Sequence, residues 1–223
     1  MNTKVCGITQ LKQLQQLDGL DIDFAGLIFY KDSPRYVGDK INKDDLKNSD
    51  FDLKKVGVFV NADYDEIMQV VEDYGLDVVQ LHGDESPDLC EELSEEVEVI
   101  KAFKVKDSKV SIDEMVADYD EVCDYYLFDT ASSDVEGGSG KQFDWKLLSK
   151  AKIEKPFFLS GGIGVDDVAK VKGFKHPDYY AVDINSKVEK EPGVKDMGLV
   201  LQFRQGLKAP SYPSPKGKGE GED

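Results

Sequence analysis

The stretch TKVCGIT, residues 3–9, decides between two folds. It begins as a short apolar run, and Gly7 is followed by Ile8 and Thr9 with no further glycine. An open doubly wound sheet that binds a dinucleotide carries the pattern G-x-G-x-x-G directly after its first strand. Because that pattern is missing, the stretch favours the other common parallel α/β fold, a closed barrel.

Eight short runs rich in β-branched and aromatic residues recur at intervals of about 25 residues, and polar segments with helical spacing follow them. Their nearly continuous apolar character indicates parallel strands that are covered on both faces. Eight such units predict a single-domain (β/α)8 TIM barrel of roughly 200 residues. The runs are TKVCGI (3–8), FAGLIF (24–29), KKVGVFV (54–60), DVVQLH (77–82), VEVIKAF (97–103), YYLFD (125–129), PFFLS (156–160) and YYAVDI (179–184).

Helical signals lie between these runs. Asp63 precedes a segment with apolar residues at helical spacing, and Gly75 stands where that helix should end. Ser86 and Pro87 are typical of the cap and the first turn of another helix. Cys90 falls in this second helix, where we expect an inert thiol packed in the core.

Composition excludes several classes of protein. The formal net charge of −17 argues against a nucleic-acid partner, which would require a basic patch. No run approaches the ~20 apolar residues that span a bilayer, and the N-terminus lacks a signal-peptide pattern, so we expect a cytoplasmic protein without membrane contact. Three widely spaced cysteines and two histidines favour neither a disulfide scaffold nor a structural zinc site.

The chain should divide into a barrel domain, residues 1–208, and a disordered tail, residues 209–223. The tail, APSYPSPKGKGEGED, holds three of the eight prolines and alternates glycine with charge, so it has no apolar face to bury. Barrel helices are amphipathic whether or not they meet a partner, so a monomer and a homodimer both remain open.

Polar residues follow most of the predicted strands. In a parallel barrel the carboxyl ends of all strands open at one face, where catalytic groups collect. A thiol, a guanidinium and carboxylates in one such ring suggest an acidic substrate and proton transfer. The ring consists of Cys6, Arg35, Asn61, His82, Lys104, Asp129, Ser160 and Asp183.

Glycine-rich loops follow the sixth and seventh strands. The segments EGGSGKQFDW (136–145) and SGGIG (160–164), with the polar INSK (184–187) after the eighth strand, offer backbone amides to an anion. Barrels often hold phosphate in the loops after strands 7 and 8, so a phosphorylated substrate is predicted. The alternative, that these glycines only form tight turns, stays open.

Seven segments together resemble the phosphoribosylanthranilate isomerases of tryptophan biosynthesis. They are KVCGIT, GLIFYKDSPRYV (26–37), VGVFVN (56–61), VVQLHGDE (78–85), LFDT (127–130), GGSGKQFDW and LSGGI, in family order and spacing. The resemblance implies conversion of N-(5-phosphoribosyl)anthranilate to 1-(2-carboxyphenylamino)-1-deoxyribulose 5-phosphate by an Amadori rearrangement. It also implies a reaction without a metal or an organic cofactor.

The resemblance assigns the catalytic pair. An acid must protonate the furanose oxygen to open the ring, and a base must then remove the proton from C2′. Asp129 matches the family's acid, and burial should keep it protonated. Cys6 matches the base, and an electropositive environment should keep it a thiolate. We expect the two groups to face each other across a wet pocket, with a substrate-sized gap between them.

The resemblance also implies the substrate-binding residues. Arg35 matches the contact to the anthranilate carboxylate, although a solvated loop arginine is the alternative. His82 lies in a family motif but could equally be a structural histidine. The remaining candidates are Gly138, Gly140, Gly161, Gly162, Asp183, Asn185 and Ser186. The family pattern D-x-S-S-G-x-E departs here to DINSKVE, where Lys187 replaces a glycine and could itself pair with phosphate.

Two other functions fit the same pattern less well. Another phosphate-binding barrel of tryptophan or histidine biosynthesis would be expected to carry lysines and glutamates at several strand ends, or an aspartate after strand 1, where this chain has Cys6. A non-catalytic sensor of phosphorylated ligands would keep the glycine loops, but it would have no reason to place a thiol opposite an aspartic acid.

Overall fold

Eight parallel strands close into a barrel in sequence order, because each strand pairs with the next and β8 pairs with β1. This computed structural model, which describes residues 1–105, 111–130 and 144–209, confirms the predicted (β/α)8 barrel. A short antiparallel hairpin, β9 and β10, follows β8. The strands are β1 Asn2–Val5, β2 Phe24–Ile28, β3 Lys54–Phe59, β4 Val78–Leu81, β5 Glu98–Val105, β6 Tyr125–Thr130, β7 Phe157–Leu159, β8 Tyr179–Ile184, β9 Glu189–Glu191 and β10 Val194–Lys195.

The outer layer is less regular than the sequence predicts. Three of its helices are short, with five residues in α2 and α5 and six in α6. Between β6 and β7 the described residues form only a 3-10 turn, Leu148–Lys150. The helices are α1 Leu11–Asp18, α2 Lys43–Lys47, α3 Tyr64–Tyr74, α4 Pro87–Ser94, α5 Ile112–Val116, α6 Val168–Gly173 and α7 Met197–Lys208.

The predicted helix ends at α3 and α4 are confirmed. The Asp63 side chain accepts a hydrogen bond from the backbone N–H of Glu66, and Gly75 ends α3 with φ 61°. The Ser86 hydroxyl caps α4 by accepting from the N–H of Leu89. Short polar side chains satisfy the first free amides of each helix, which is why these residue types mark helix starts.

The barrel interior changes character along its axis. At the amino ends of the strands the inward side chains are apolar, and Phe24, Val56, Ile100 and Phe158 pack together there. Toward the carboxyl ends buried polar side chains replace them, namely Lys4, Gln80, Ser160 and Asp183. Buried polar groups are costly unless they are paired. This layer at the carboxyl ends of the strands, the upper layer, is therefore the candidate functional region.

Several predictions fall on residues 106–110, 131–143 and 210–223, which lie outside the described part of the chain. They concern Gly138, Gly140 and the tail beyond residue 209, so the predicted domain boundary stays a prediction. Among the described residues, no helix is both long and apolar enough to cross a membrane.

Two cysteines lie in the layer between strands and helices, as predicted for Cys90. Cys90 on α4 and Cys123 before β6 are both buried free thiols. Burial raises the pKa of Cys90 to about 11 and that of Cys123 to about 12, from an ordinary 9.0. Neither thiol is therefore reactive near neutral pH.

We expect Cys123→Ala to lessen the sensitivity of the fold to alkali. Above pH 9 the unfolded chain loses the Cys123 proton, whereas the folded chain keeps it up to about pH 12, so stability falls as pH rises. At pH 10.5 this thiol should cost the wild type about 2 kcal/mol of unfolding free energy. Urea unfolding at pH 8.0 and 10.5 measures the loss, and equal losses in both proteins would contradict the prediction.

Candidate active site

Cys6 lies directly after β1, at the carboxyl end of the barrel. Its backbone N–H bonds to the carbonyl of Ile184 at 2.9 Å, and Gly7 then turns the chain with φ 77°. Gly26 on β2 faces the thiol so closely that a Cβ there would lie 2.7 Å from Sγ. Cys6 is only 5% exposed, so the expected wet surroundings are wrong for this residue.

A buried ion pair lies beside Cys6 in the upper layer of the barrel. Lys4 Nζ lies 3.1 Å from Asp183 Oδ1, and Ser160 Oγ donates to Asp183 Oδ2 at 3.3 Å. Lys4 is fully buried and Asp183 is 5% exposed. Both oxygens of Asp183 therefore have partners within the chain. This argues against the direct contact to substrate that the sequence predicts for Asp183.

The protonation of Cys6 differs from the expectation. Burial raises the pKa of the Cys6 thiol, Lys4 and Lys195 oppose this, and Asp183 reinforces it. The environment is electropositive as predicted, but desolvation outweighs it, so the thiol is the favoured form at neutral pH. Burial also raises the pKa of Asp183, whereas the pKa of Lys4 is raised because Asp183 and Cys6 outweigh its burial.

Asp129 is the second-last residue of β6, at the same mouth, and contacts a histidine. His82 Nε2 lies 3.5 Å from Asp129 Oδ2, and the two side chains are 22% and 18% exposed. The Gln80 amide donates to His82 Nδ1 at 2.8 Å, so a neutral ring carries its proton on Nε2, toward the carboxylate. His82 is therefore placed to orient Asp129. The substrate-sized gap expected between Asp129 and Cys6 stays a prediction.

The loop after β4, which carries His82, is clamped by a second buried ion pair. Glu85 accepts hydrogen bonds from the N–H groups of Asn61 and Gly83, both at 2.9 Å, and its Oε2 lies 2.7 Å from Lys101 Nζ. Burial raises the pKa of Glu85, but Lys101 outweighs it and holds the pKa below the usual value. Asn61 has φ 53°, an uncommon conformation for a residue with a side chain. These contacts fix the loop that carries His82.

Arg35 is not a solvated arginine, because it is 8% exposed and paired. Its Nε and Nη2 bind the Glu189 carboxylate bidentately at 2.8–3.1 Å. Lys195 Nζ lies 2.6 Å from the same carboxylate and 2.7 Å from Asn185 Oδ1. Burial raises the pKa of Glu189, but Arg35 and Lys195 outweigh it and lower the pKa. Two cations share one carboxylate, so this corner keeps an excess positive charge.

Sequence reasoning missed Lys4, Glu189 and Lys195. Lys4 could have been found from strand alternation, since it lies two positions before the strand-end residue Cys6 and should therefore face the same way. The segment EKEPGVK (189–195) contains Pro-Gly, a turn signal, between charged residues. That signal indicates a hairpin, but nothing local indicates that its side chains reach Arg35.

The glycine loop after β7 meets the segment after β8. Gly161 and Gly162 have φ 99° and 63°, and a Cβ on Gly161 would collide with Thr130. A Cβ on Gly164 would lie 2.8 Å from Lys187 Cβ, so the two loops are neighbours. Asn185 and Ser186 are half-buried beside them, and Lys187 is exposed. In the described ranges, no group of three or more His, Cys, Asp or Glu side chains is placed to hold a metal.

A closed parallel barrel whose mouth carries a thiol, a carboxyl group and neighbouring glycine loops is typical of a (β/α)8-barrel enzyme. A family model described as N-(5′-phosphoribosyl)anthranilate (PRA) isomerase matches residues 3–206. The chain belongs to this family of isomerases.

Relatives match over nearly their whole length. The N-(5′-phosphoribosyl)anthranilate isomerase of Parabacteroides distasonis is 38% identical over 222 residues, which cover 96% of this chain and 99% of the relative. That of Nostoc punctiforme is 37% identical over 212 residues, covering 93% and 98%. The phosphoribosyl anthranilate isomerase structure from Thermotoga maritima has a TM-score of 0.83 at 33% identity, covering 93% and 98% of the two chains.

One similar structure contains a ligand. It is a phosphoribosyl anthranilate isomerase in complex with reduced 1-(o-carboxyphenylamino)-1-deoxyribulose 5-phosphate. Its TM-score is 0.75 at 30% identity, and the match covers 93% of this chain and 98% of that chain.

Proposed function

We propose that this chain converts N-(5-phosphoribosyl)anthranilate to 1-(2-carboxyphenylamino)-1-deoxyribulose 5-phosphate in tryptophan biosynthesis. The observation that carries the proposal is the position of Cys6 and Asp129 at the ends of β1 and β6, on one mouth of a family barrel. The related complex with a reduced form of the product supports the same substrate class.

Asp129 acts first in the proposed reaction. It donates its proton to the furanose oxygen as the bond from that oxygen to C1′ breaks, and the anthranilate nitrogen forms a protonated imine with C1′. Its contact with His82 supports this role, because a donor on Nε2 stabilises the carboxylate that remains.

Cys6 acts second. Its thiolate takes the proton from C2′, the electron pair forms the C1′–C2′ double bond, and tautomerisation of the enol gives the ketone at C2′. Because burial raises the pKa of Cys6, the thiolate is the minor form at neutral pH but a stronger base once formed.

The substrate's two anionic ends have separate proposed sites. The excess positive charge shared by Arg35, Lys195 and Glu189 supports a carboxylate site near Cys6. The loops that contain Gly161, Gly162, Asn185 and Ser186 support a phosphate site, to which Gly138 and Gly140 are assigned from the resemblance alone. We no longer assign Asp183 to a contact with the substrate; its proposed role is to anchor Lys4.

We expect Arg35→Ala to raise KM by roughly tenfold or more and to change kcat less, since the carboxylate contact exists in ground and transition states alike. The variant should also lose about 2 kcal/mol of stability, because Glu189 loses one of the two cations that pair with it in the described chain. Steady-state kinetics and urea unfolding measure the two effects.

Arg204→Ala is the matched control for Arg35→Ala. Arg204 lies at the opposite end of the barrel, where it contacts the carbonyl of Met1 and pairs with Asp23. It should lower stability and leave KM unchanged. A loss confined to kcat in Arg35→Ala would instead place the guanidinium at the reacting centre.

The proposed partner is a small phosphorylated substrate, with neither nucleic acid nor a membrane involved, and the proposed location is the cytoplasm. The similar protein from Thermotoga maritima is described as dimeric. Sedimentation of the purified chain decides between a monomer and a homodimer, the two states that the sequence leaves open.

The function is tested by complementation of a tryptophan auxotroph that lacks only this isomerase. Growth with the wild-type gene and no growth with Asp129→Asn would support the proposal. Failure of the wild-type gene, with folded protein in the cells, would contradict it and favour a non-catalytic sensor. An in vitro assay with freshly prepared substrate then gives kcat and KM.

A further inference from the structure

Cys6 follows the last residue of β1 and lies two positions after Lys4, so both side chains fall on the inward side of the chain. Lys4 is paired in register with Asp183 of β8, and its side chain is fully buried. Removing an ammonium and a carboxylate from water is costly, and an apolar pair of similar volume would often be as stable. The fold alone therefore gives no reason for a charge at this position.

The charges around Cys6 come from three elements. Lys4 of β1 and Lys195 of β10 favour the thiolate, and Asp183 of β8 opposes it. In the described chain each lysine has one carboxylate partner, Asp183 for Lys4 and Glu189 for Lys195, but Lys4 favours the thiolate more strongly and also makes a side-chain hydrogen bond to Cys6. The ammonium of Lys4 is thus the cation that most strongly stabilises the ionised form of Cys6.

We propose that Lys4 is a positioning residue for the isomerisation. Its ammonium is the fixed counter-charge that allows the buried Cys6 to become a thiolate, and Asp183, oriented by Ser160, holds that ammonium in place. The inference rests on the proposed function, in which Cys6 is the base. Lys4 is fully buried, so it acts through Cys6 and not on the substrate.

The test measures the protonation of Cys6 without substrate. Protein labelled with ¹³C at the cysteine β carbons gives one NMR signal per cysteine, and Cys6→Ser assigns that of Cys6. Cys90 and Cys123, with pKa values near 11 and 12, serve as internal references. We expect Lys4→Met to raise the Cys6 titration midpoint by about one pH unit or more. At a given pH below the midpoint, this shift corresponds to a roughly tenfold smaller thiolate fraction.

The pH profile of kcat/KM supplies the second readout. The inflection that disappears in Cys6→Ser should move in Lys4→Met by the same amount as the NMR midpoint. A merely structural role for Lys4 would lower activity at every pH and leave the inflection in place.

Two further variants keep the test decisive. The double variant Lys4→Met/Asp183→Asn leaves no unpaired buried charge, so it replaces Lys4→Met in the experiment if that single variant does not fold. Its midpoint should rise less, because Asp183 opposes the thiolate. Lys55→Met removes another buried lysine, whose Nζ donates to the carbonyl of Leu46 at 3.4 Å, and should leave the midpoint unchanged.

A Cys6 midpoint within about 0.3 pH unit of wild type in the folded Lys4→Met protein, or in the double variant if the single one does not fold, overturns the inference. A folded wild type without isomerase activity overturns the proposed function and the catalytic role of Lys4 with it, whatever the NMR midpoints show. The two failures are therefore distinguishable.

Discussion

Asp129→Asn is expected to lower kcat by roughly 10²- to 10⁴-fold, the usual contribution of a positioned general acid. The amide has nearly the shape of the acid but has no proton to give to the furanose oxygen, so ring opening loses its catalyst. Stability should change little, because the side chain is 18% exposed and its partner His82 is 22% exposed. Single-turnover kinetics with saturating enzyme measure the chemical step directly.

Binding supplies the control for this variant. A reduced, unreactive form of the product, like the ligand of the similar structure, should bind the variant and the wild type with the same Kd to within about threefold. Full activity of Asp129→Asn would exclude it as the acid. Lost activity together with lost binding would make Asp129 a substrate contact instead.

Cys6→Ser should lower kcat by roughly 10²-fold or more, because a hydroxyl does not ionise in the range where even a perturbed thiol does. The sequence predicted that this side chain lines a wet pocket. Since Cys6 is 5% exposed and packs against Gly26, a cost of about 1 kcal/mol is now expected. The pH profile of kcat/KM should lose one inflection.

Cys90→Ser is the matched control for Cys6→Ser. Cys90 is also a buried thiol, but it lies on α4, outside the strand ring. Its replacement should affect stability alone and leave the pH profile intact. A fully active Cys6→Ser enzyme would make Cys6 a packing residue and require another base at the mouth.

The fold was predictable because its signals are local. The barrel strands are mostly buried, largely apolar runs, and Asp63 and Ser86 cap helices with their own side chains. Cys6 and Asp129 were predictable as strand-end residues for the same reason. Their degree of burial was not, because it depends on Gly26 and on the packing of other strands around the thiol.

The charge network of the site could not be predicted from local pattern. Arg35 and Glu189 are 154 positions apart, and nothing near either residue specifies that they meet. The sequence predicted a cation for a substrate carboxylate, and the structure adds the internal carboxylate of Glu189 that already binds it. Pairing of this kind follows from barrel closure, which brings β8 and the β9–β10 hairpin beside β1 and the loop after β2.

The seam between β1 and β8 makes barrel closure and site assembly a single event in folding. Lys4 meets Asp183 across 179 positions, and Thr9 Oγ1 donates to the carbonyl of Gly193 across 184. Such distant contacts are entropically costly until the last strand docks, so they form late. A chain folded only from β1 to β7 would carry both proton-transfer residues yet lack the anchor for Lys4 and the partner for Arg35. Recovery of activity during refolding would therefore report the closing of the ring, and an open barrel would be inactive however much of its secondary structure had formed.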